Sequence, residues 1–222
     1  MFPLRDDRPK YSATFVTVLL IVFNVVIFLF ETSLDDFSRN HFLSFYGLVP
    51  DRFRPFTLLS AMFLHGGWLH IASNMMFLWA FGRSLEDSMG HGKYLLFYLA
   101  CGVAAGLTQL FFNMGSRIPT VGASGAIAGV MGAYLIRFPR ARIHTLVVFI
   151  IFFTSVEIPA MFLLLYWFVT QLFNGIGSVG YSHISEGGTA WFEHIGGFIA
   201  GMALSGILGT RQRVYRRSGV SW

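Results

Sequence analysis

The chain of 222 residues is short of charge: only 12% of it is Asp, Glu, Lys or Arg and 55% is hydrophobic, where soluble globular chains carry about a quarter charged residues. That scarcity disfavours a soluble domain and makes a lipid-embedded chain the first reading. There is a single cysteine, Cys101, inside an apolar run. No intramolecular disulfide can form, the redox compartment stays open, and the residue reads as a small packing group. No HExxH pattern is present. His65 and His70, five apart, do not share a helix face, which argues against a metal held by His65, His70 and His194. No small-residue cleavage site follows the first apolar run, so the opening MFPLRDDRPKY reads as a retained cytoplasmic tail. Soluble-type repeats, low-complexity tracts and interdomain linkers are also missing, and the length leaves no room for a second sizeable domain.

What charge there is has a pattern. Lys plus Arg outnumber Asp plus Glu by 16 to 11, a formal net charge of +5, a balance that elsewhere would suggest nucleic acid. Here the basic residues flank apolar runs: Arg5, Arg8 and Lys10 before the first, Arg137, Arg140 and Arg142 after a middle one, and Arg211, Arg213, Arg216 and Arg217 after the last. That is the distribution of the positive-inside rule, so the excess is a topology signal and no nucleic-acid partner is expected.

The spacing predicts six spans, about residues 13–30, 68–85, 94–112, 124–138, 159–173 and 189–208, each judged against the roughly 20 apolar residues that cross a ~30 Å hydrocarbon core. A long first loop, about 31–67, holds Pro50, Pro55 and the aromatics Phe42, Tyr46, Phe53 and Phe56 and is expected to pack at the membrane surface. The fourth span is short, covering only ~22 Å at 1.5 Å per residue, so one end must stop inside the lipid layer. With the arginines holding its C-terminal end at the cytoplasm, the submerged end is the N-terminal one, preceded by the turn-like Thr120-Val121-Gly122-Ala123. Residues 143–153 are apolar but too few to cross and read as a re-entrant or interfacial piece. Pro159 suits the first turn of the fifth span. Its aromatics, Phe162, Tyr166, Trp167, Phe168 and Phe173, read as lipid-facing bulk. Gly175–Gly188 reads as a flexible loop. The organisation is therefore a cytoplasmic tail (1–12), a membrane domain (13–208) and a basic cytoplasmic tail (209–222), both termini on one side.

Polar groups inside spans are costly in lipid and carry a functional hypothesis by default. Four stand out: His70 and Asn74 on the second span, Ser124 at the submerged start of the fourth, and His194 in the sixth. Ser124 opens a helix, where free N–H groups and the helix dipole favour an anion, although a serine there is also simply a good N-cap. His194 shares a helix face with Gly197 and Gly201, and the fourth span carries Gly125, Gly129 and Gly132. Small residues on both helices permit close approach, which could bring imidazole and hydroxyl within hydrogen-bond reach; the alternative is packing alone. A neutral imidazole taking the serine proton would make a two-member relay. His70 and Asn74, four apart, share a face and can donate hydrogen bonds; with the Ser124 N–H they form a candidate oxyanion hole, or else interhelical polar glue. Glu157, Glu186 and Glu193 lack an identifying spacing and read as interfacial or solvated.

The ordered series His65-Gly-Gly-Trp-Leu-His70-Ile-Ala-Ser-Asn74, Glu86-Asp-Ser-Met-Gly90-His-Gly92-Lys93, Gly122-Ala123-Ser124-Gly125 and His194-Ile195-Gly196-Gly197 resembles the rhomboid intramembrane serine proteases, over about residues 53–208. The resemblance implies an all-α polytopic membrane protein: a six-transmembrane-helix rhomboid-like bundle with a long first loop and a short fourth helix. It implies peptide-bond hydrolysis by Ser124 with His194 as base and then acid, oxyanion roles for His70, Asn74 and the Ser124 amide, and structural roles in or near the first loop for His65, Arg54 and Glu86. The glycine-rich segment before the sixth span would be a mobile cap. Transmembrane proteins would be the substrates and lipids the surroundings, with no cofactor. The chain departs from the family at Phe56 and Thr57, where a Trp-Arg pair is usual, at Glu193, where a small residue is usual, and at Ala128, where some members carry a ring stacked on the histidine. A client-binding protein that does not cut is the alternative; a small transporter is disfavoured because no repeated halves are found. Short loops and the lack of a transit peptide suggest a bacterial inner membrane.

Overall fold

The computed structural model describes residues 2–149, 152–179 and 190–208. In chain order the elements are β1 (Phe2–Asp6), α1 (Phe15–Ser33), α2 (Asp36–Tyr46), α3 (Thr57–Ser60), α4 (Trp68–Phe77), α5 (Arg83–Met89), α6 (His91–Phe112), α7 (Ser124–Arg137), β2 (Arg142–Phe149), β3 (Phe152–Pro159), α8 (Ala160–Val179) and α9 (Trp191–Ile207). Among the described residues three helical stretches are long and apolar enough to cross a membrane: Phe15–Ser33, His91–Phe112 and Ala160–Gly177. The protein is a mostly helical, multi-pass membrane protein. Apolar side chains such as Val22, Phe23, Val26, Leu96, Leu107 and Phe111 face outward from these helices, as expected where lipid replaces water.

Helix α7 is the centre of the bundle. Every residue from Gly125 to Leu135 is buried, and its glycines let neighbouring backbones come close. A Cβ on Gly129 would meet Cys101 of α6, one on Gly132 would strike the Phe198 carbonyl of α9, and one on Gly201 would strike the Gly129 carbonyl. Around this axis pack Leu78, Phe81, Tyr94, Phe97 and Tyr98.

The all-α expectation is corrected by a three-stranded antiparallel sheet ordered β1-β2-β3. Strands β2 and β3 pair from Arg142↔Pro159 to Phe149↔Phe152, and β1 of the N-terminal segment adds along β2 from Phe2↔Leu146 to Asp6↔Ile143. The segment expected to be re-entrant, 143–153, thus supplies most of β2 and the start of β3. Its physical reason is the β-branched run Ile143, Thr145, Val147 and Val148, stiff side chains that favour an extended chain. Pro159 ends β3 instead of opening the following helix, and α8 continues past Gly175 to Val179, so the expected loop is helical at its start. The rest of that expected cap, 180–188 with Glu186, and the arginines of 209–222 lie outside the described residues.

Asp6 fastens the sheet to the bundle. Its carboxylate accepts from Tyr134 at 2.7 Å, from Lys10 at 2.5 Å and from Ser84. The second span is interrupted: between α4 and α5 the residues Leu78–Gly82 form a π-helical turn. Beyond it, Glu86 accepts from the α1 N–H groups of Val16 at 2.7 Å and Thr17 at 2.9 Å and from the Thr17 hydroxyl. One buried carboxylate thus satisfies free donors of the α1 N-terminus and locks α5 to it. At the other end of α1, Glu31 accepts from the His65 N–H at 3.3 Å, tying that helix to the first loop.

Candidate active site

Ser124 is the first residue of α7. The preceding turn is held from two sides: Thr120 exchanges backbone hydrogen bonds of 2.9 Å with Leu48, and the Gly122 N–H donates to the Ala61 carbonyl at 2.9 Å. Gly122 has φ of +133°, a left-handed region that glycine enters without cost. A Cβ there would lie 2.8 Å from His70 Nε2 and 3.5 Å from Asn74 Nδ2. Only a glycine leaves that space free, and the two side chains border it just upstream of Ser124.

The local hydrogen bonds settle which nitrogens are donors. The Gly66 N–H donates to His70 Nδ1 at 3.4 Å, so the proton of a neutral His70 ring resides on Nε2, facing the Gly122 space. Asn74 Nδ2 lies 3.0 Å from His65 Nε2 and donates to it. An amide nitrogen carries two hydrogens, so one remains for another acceptor. His65, fully buried in the first loop, has its pKa depressed to about 3, because burial and then the neighbouring His70 disfavour the charged ring.

His194 sits in the first turn of α9. Its Nδ1 lies 2.8 Å from the Gln171 side-chain oxygen of α8. That oxygen can only accept, so Nδ1 carries the proton and Nε2 keeps its lone pair. The Gln171 amide nitrogen meanwhile donates to the Trp167 carbonyl at 3.3 Å and approaches the Thr170 hydroxyl at 3.2 Å, which fixes its orientation. Trp167 and Trp191 flank the imidazole with ring centres 5.7 and 6.3 Å away. Trp167 therefore walls the site and is not merely lipid-facing bulk, and rings from α8 and α9 stand against His194 although position 128 is an alanine.

Ser124, His194, His70 and Asn74 all line one cavity of about 1050 Å³. Ala128, Met131, Phe112 and Trp167 supply apolar wall, so charge developing inside would feel the donors strongly. Arg54 is not among the lining residues; its guanidinium stacks over the Phe45 ring at 4.5 Å, and Phe56 packs on Phe45 and Tyr46, within the first loop. Glu193 was expected at an interface or in solvent but is buried, its carboxyl wedged against Gly125, because it projects from α9 toward the closely packed α7. Glu157 is exposed and paired with Arg142.

Gln171 is the residue that the sequence reading passed over. It is a glutamine in an apolar span, the same signal that singled out His70.

A family profile described as the Rhomboid domain matches residues 52–211. The chain is similar to Rhomboid protease GluP of Bacillus subtilis, 42% identical over 35% of this chain and 15% of that protein. It is also similar to Rhomboid protein 1, mitochondrial, of Saccharomyces cerevisiae, 33% identical over 39% of this chain and 26% of the relative. A third similarity is to the human Presenilin-associated rhomboid-like protein, mitochondrial, 31% identical over 44% of this chain and 26% of the relative. The matched stretches thus span about a quarter or less of these relatives.

Proposed function

The chain belongs to the rhomboid family, and from this premise we propose that it is an intramembrane serine endopeptidase that cuts transmembrane proteins with a Ser124–His194 dyad. The observation that carries this is the convergence of Ser124, His194, His70 and Asn74 on one cavity at the N-terminus of α7.

In the proposed reaction the Ser124 hydroxyl attacks the scissile carbonyl while His194 Nε2 takes its proton. The oxyanion that forms accepts from the Ser124 N–H, from His70 Nε2–H and from the remaining Asn74 hydrogen. As the carbon–nitrogen bond breaks, the imidazolium gives its proton to the departing amine, leaving an ester on Ser124. Water, deprotonated by the same imidazole, then hydrolyses the ester and restores the hydroxyl. Gln171 keeps Nδ1 protonated throughout, so that Nε2 is the nitrogen that takes up and returns each proton. Substrate helices would be ones that unwind readily, since a regular helix hides its carbonyls in hydrogen bonds. Six spans with both termini at the cytoplasmic face of a bacterial inner membrane fit the arginine pattern; protection of the C-terminal arginines from an external protease is the expected result.

The test is a gel assay in detergent with a transmembrane reporter, comparing the native chain with Ser124→Ala and His194→Ala. Cleavage by the native chain alone is expected, together with fluorophosphonate labelling of Ser124. A folded chain whose Ser124 is never labelled would favour the second reading, a rhomboid-like protein that holds transmembrane clients without cutting them.

A further inference from the structure

At the end of α7 opposite Ser124, Arg8, Arg137 and Arg140 line a second pocket, of about 610 Å³, with Phe138 and Asp7. The fold holds two of these arginines without a counter-ion. The Arg8 guanidinium lies 3.6 Å from the centre of the Phe138 ring, and Arg137 donates from Nη2 to the Ser205 carbonyl of α9 while its Nε is buried with no acceptor. Among the described residues none of the three forms an ion pair; the carboxylates of Asp6, Asp51 and Glu157 pair with other cations, and Glu86 lies against His91. Asp7, the one acid in the pocket, is engaged through Oδ1 with the Arg142 N–H at 3.0 Å.

Three guanidinium charges against a single carboxylate round one concavity, with a buried N–H left over, describe a site short of an anion. Planar guanidinium groups match the oxygens of a phosphate. Topology alone would account for arginines on this side of the membrane. It would not account for their meeting around a pocket built from the N-terminal segment and the α7–β2 connection.

We propose that this pocket binds a phosphate-bearing anion. Its place at the membrane boundary favours an anionic phospholipid headgroup as the source.

The test uses the full chain in neutral detergent, with thermal unfolding followed while dioleoylphosphatidylglycerol is titrated in. Inorganic phosphate at constant ionic strength and zwitterionic dioleoylphosphatidylcholine are run in parallel. Phosphatidylglycerol should raise the midpoint, with an apparent affinity about thirtyfold weaker in Arg8→Gln/Arg140→Gln and about fivefold weaker in Arg140→Gln, an exposed position at which folding is retained. A charge-matched control at the other end, Arg52→Gln/Arg117→Gln, should bind as the native chain does. Stabilisation by inorganic phosphate that vanishes in the Arg8/Arg140 variant would support the site with a soluble source. Equal responses in the native chain and that variant, an equal loss in the control, or no response of the native chain to either anion would overturn the proposal.

Discussion

Gln171 on α8 accepts the Nδ1 proton of His194 on α9 over 2.8 Å. Which ring nitrogen keeps its lone pair for the proposed relay is therefore chosen by a residue on a different helix. A protein relying on this bond should lose rate, not substrate affinity, when the bond is cut. For Gln171→Ala, kcat is expected to fall about ten- to a hundredfold with KM nearly unchanged, and Gln171→Glu, whose carboxylate still accepts from Nδ1, to recover most of it. A rise in KM alone, or no recovery by glutamate, would mean that Gln171 only packs.

The contact between α7 and α9 makes a sharper structural prediction. At Gly201 a methyl group would strike the Gly129 carbonyl, whereas at Gly206, on the same helix, nothing lies within 4 Å. Gly201→Ala should force the helices apart, lowering the unfolding midpoint by several degrees and reducing cleavage. Gly206→Ala should leave cleavage intact and gain up to about 1 kcal/mol from helix propensity. Thermal unfolding and the gel assay on both variants decide it.

Acid sensitivity should trace to His65. Its folded pKa of about 3 lies below the unfolded value near 6.5, so the folded ring stays neutral where the unfolded one takes a proton. The stability tied to a neutral His65 is complete above about pH 6.5 and is lost as pH falls from there toward 3, with a slope approaching 1.4 kcal/mol per pH unit. His65→Gln, which can still accept from Asn74, should flatten the decline in unfolding midpoint between pH 6.5 and 4. An unchanged slope in that variant would assign the sensitivity elsewhere.

The Asp6 cluster should be costly to break one-sidedly. Asp6→Ala leaves Lys10, Ser84 and Tyr134 without their shared acceptor and is expected to destabilise by about 3 kcal/mol, whereas Tyr134→Phe removes one donor and should cost about 1 kcal/mol. Chemical unfolding of the two variants in detergent measures the difference.

Much of the candidate site was legible because it places polar groups where lipid disfavours them. His70, Asn74, Ser124 and His194 each break an apolar span, and the arginines after α7 give its direction. The sheet was not readable in the same way. An apolar run too short to cross looks alike whether it lies in an interface or pairs as a strand, and only its β-branched residues lean toward pairing. The partner strand β1 is five residues with no pattern of its own, recognisable only once β2 stands beside it. Burial of Glu193 was equally hidden, because it follows from how closely two glycine-bearing helices meet and not from any local property of glutamate.

The hydrogen bond from Tyr134 to Asp6 joins residues 128 positions apart in the chain, and it has a consequence for biogenesis. Strand β1 leaves the ribosome long before its neighbour β2 exists, so it must wait unpaired while α1 to α7 are inserted. Closure of the sheet is then a late, long-range event in folding. Docking of the first few residues would report that the central helix has reached its final depth.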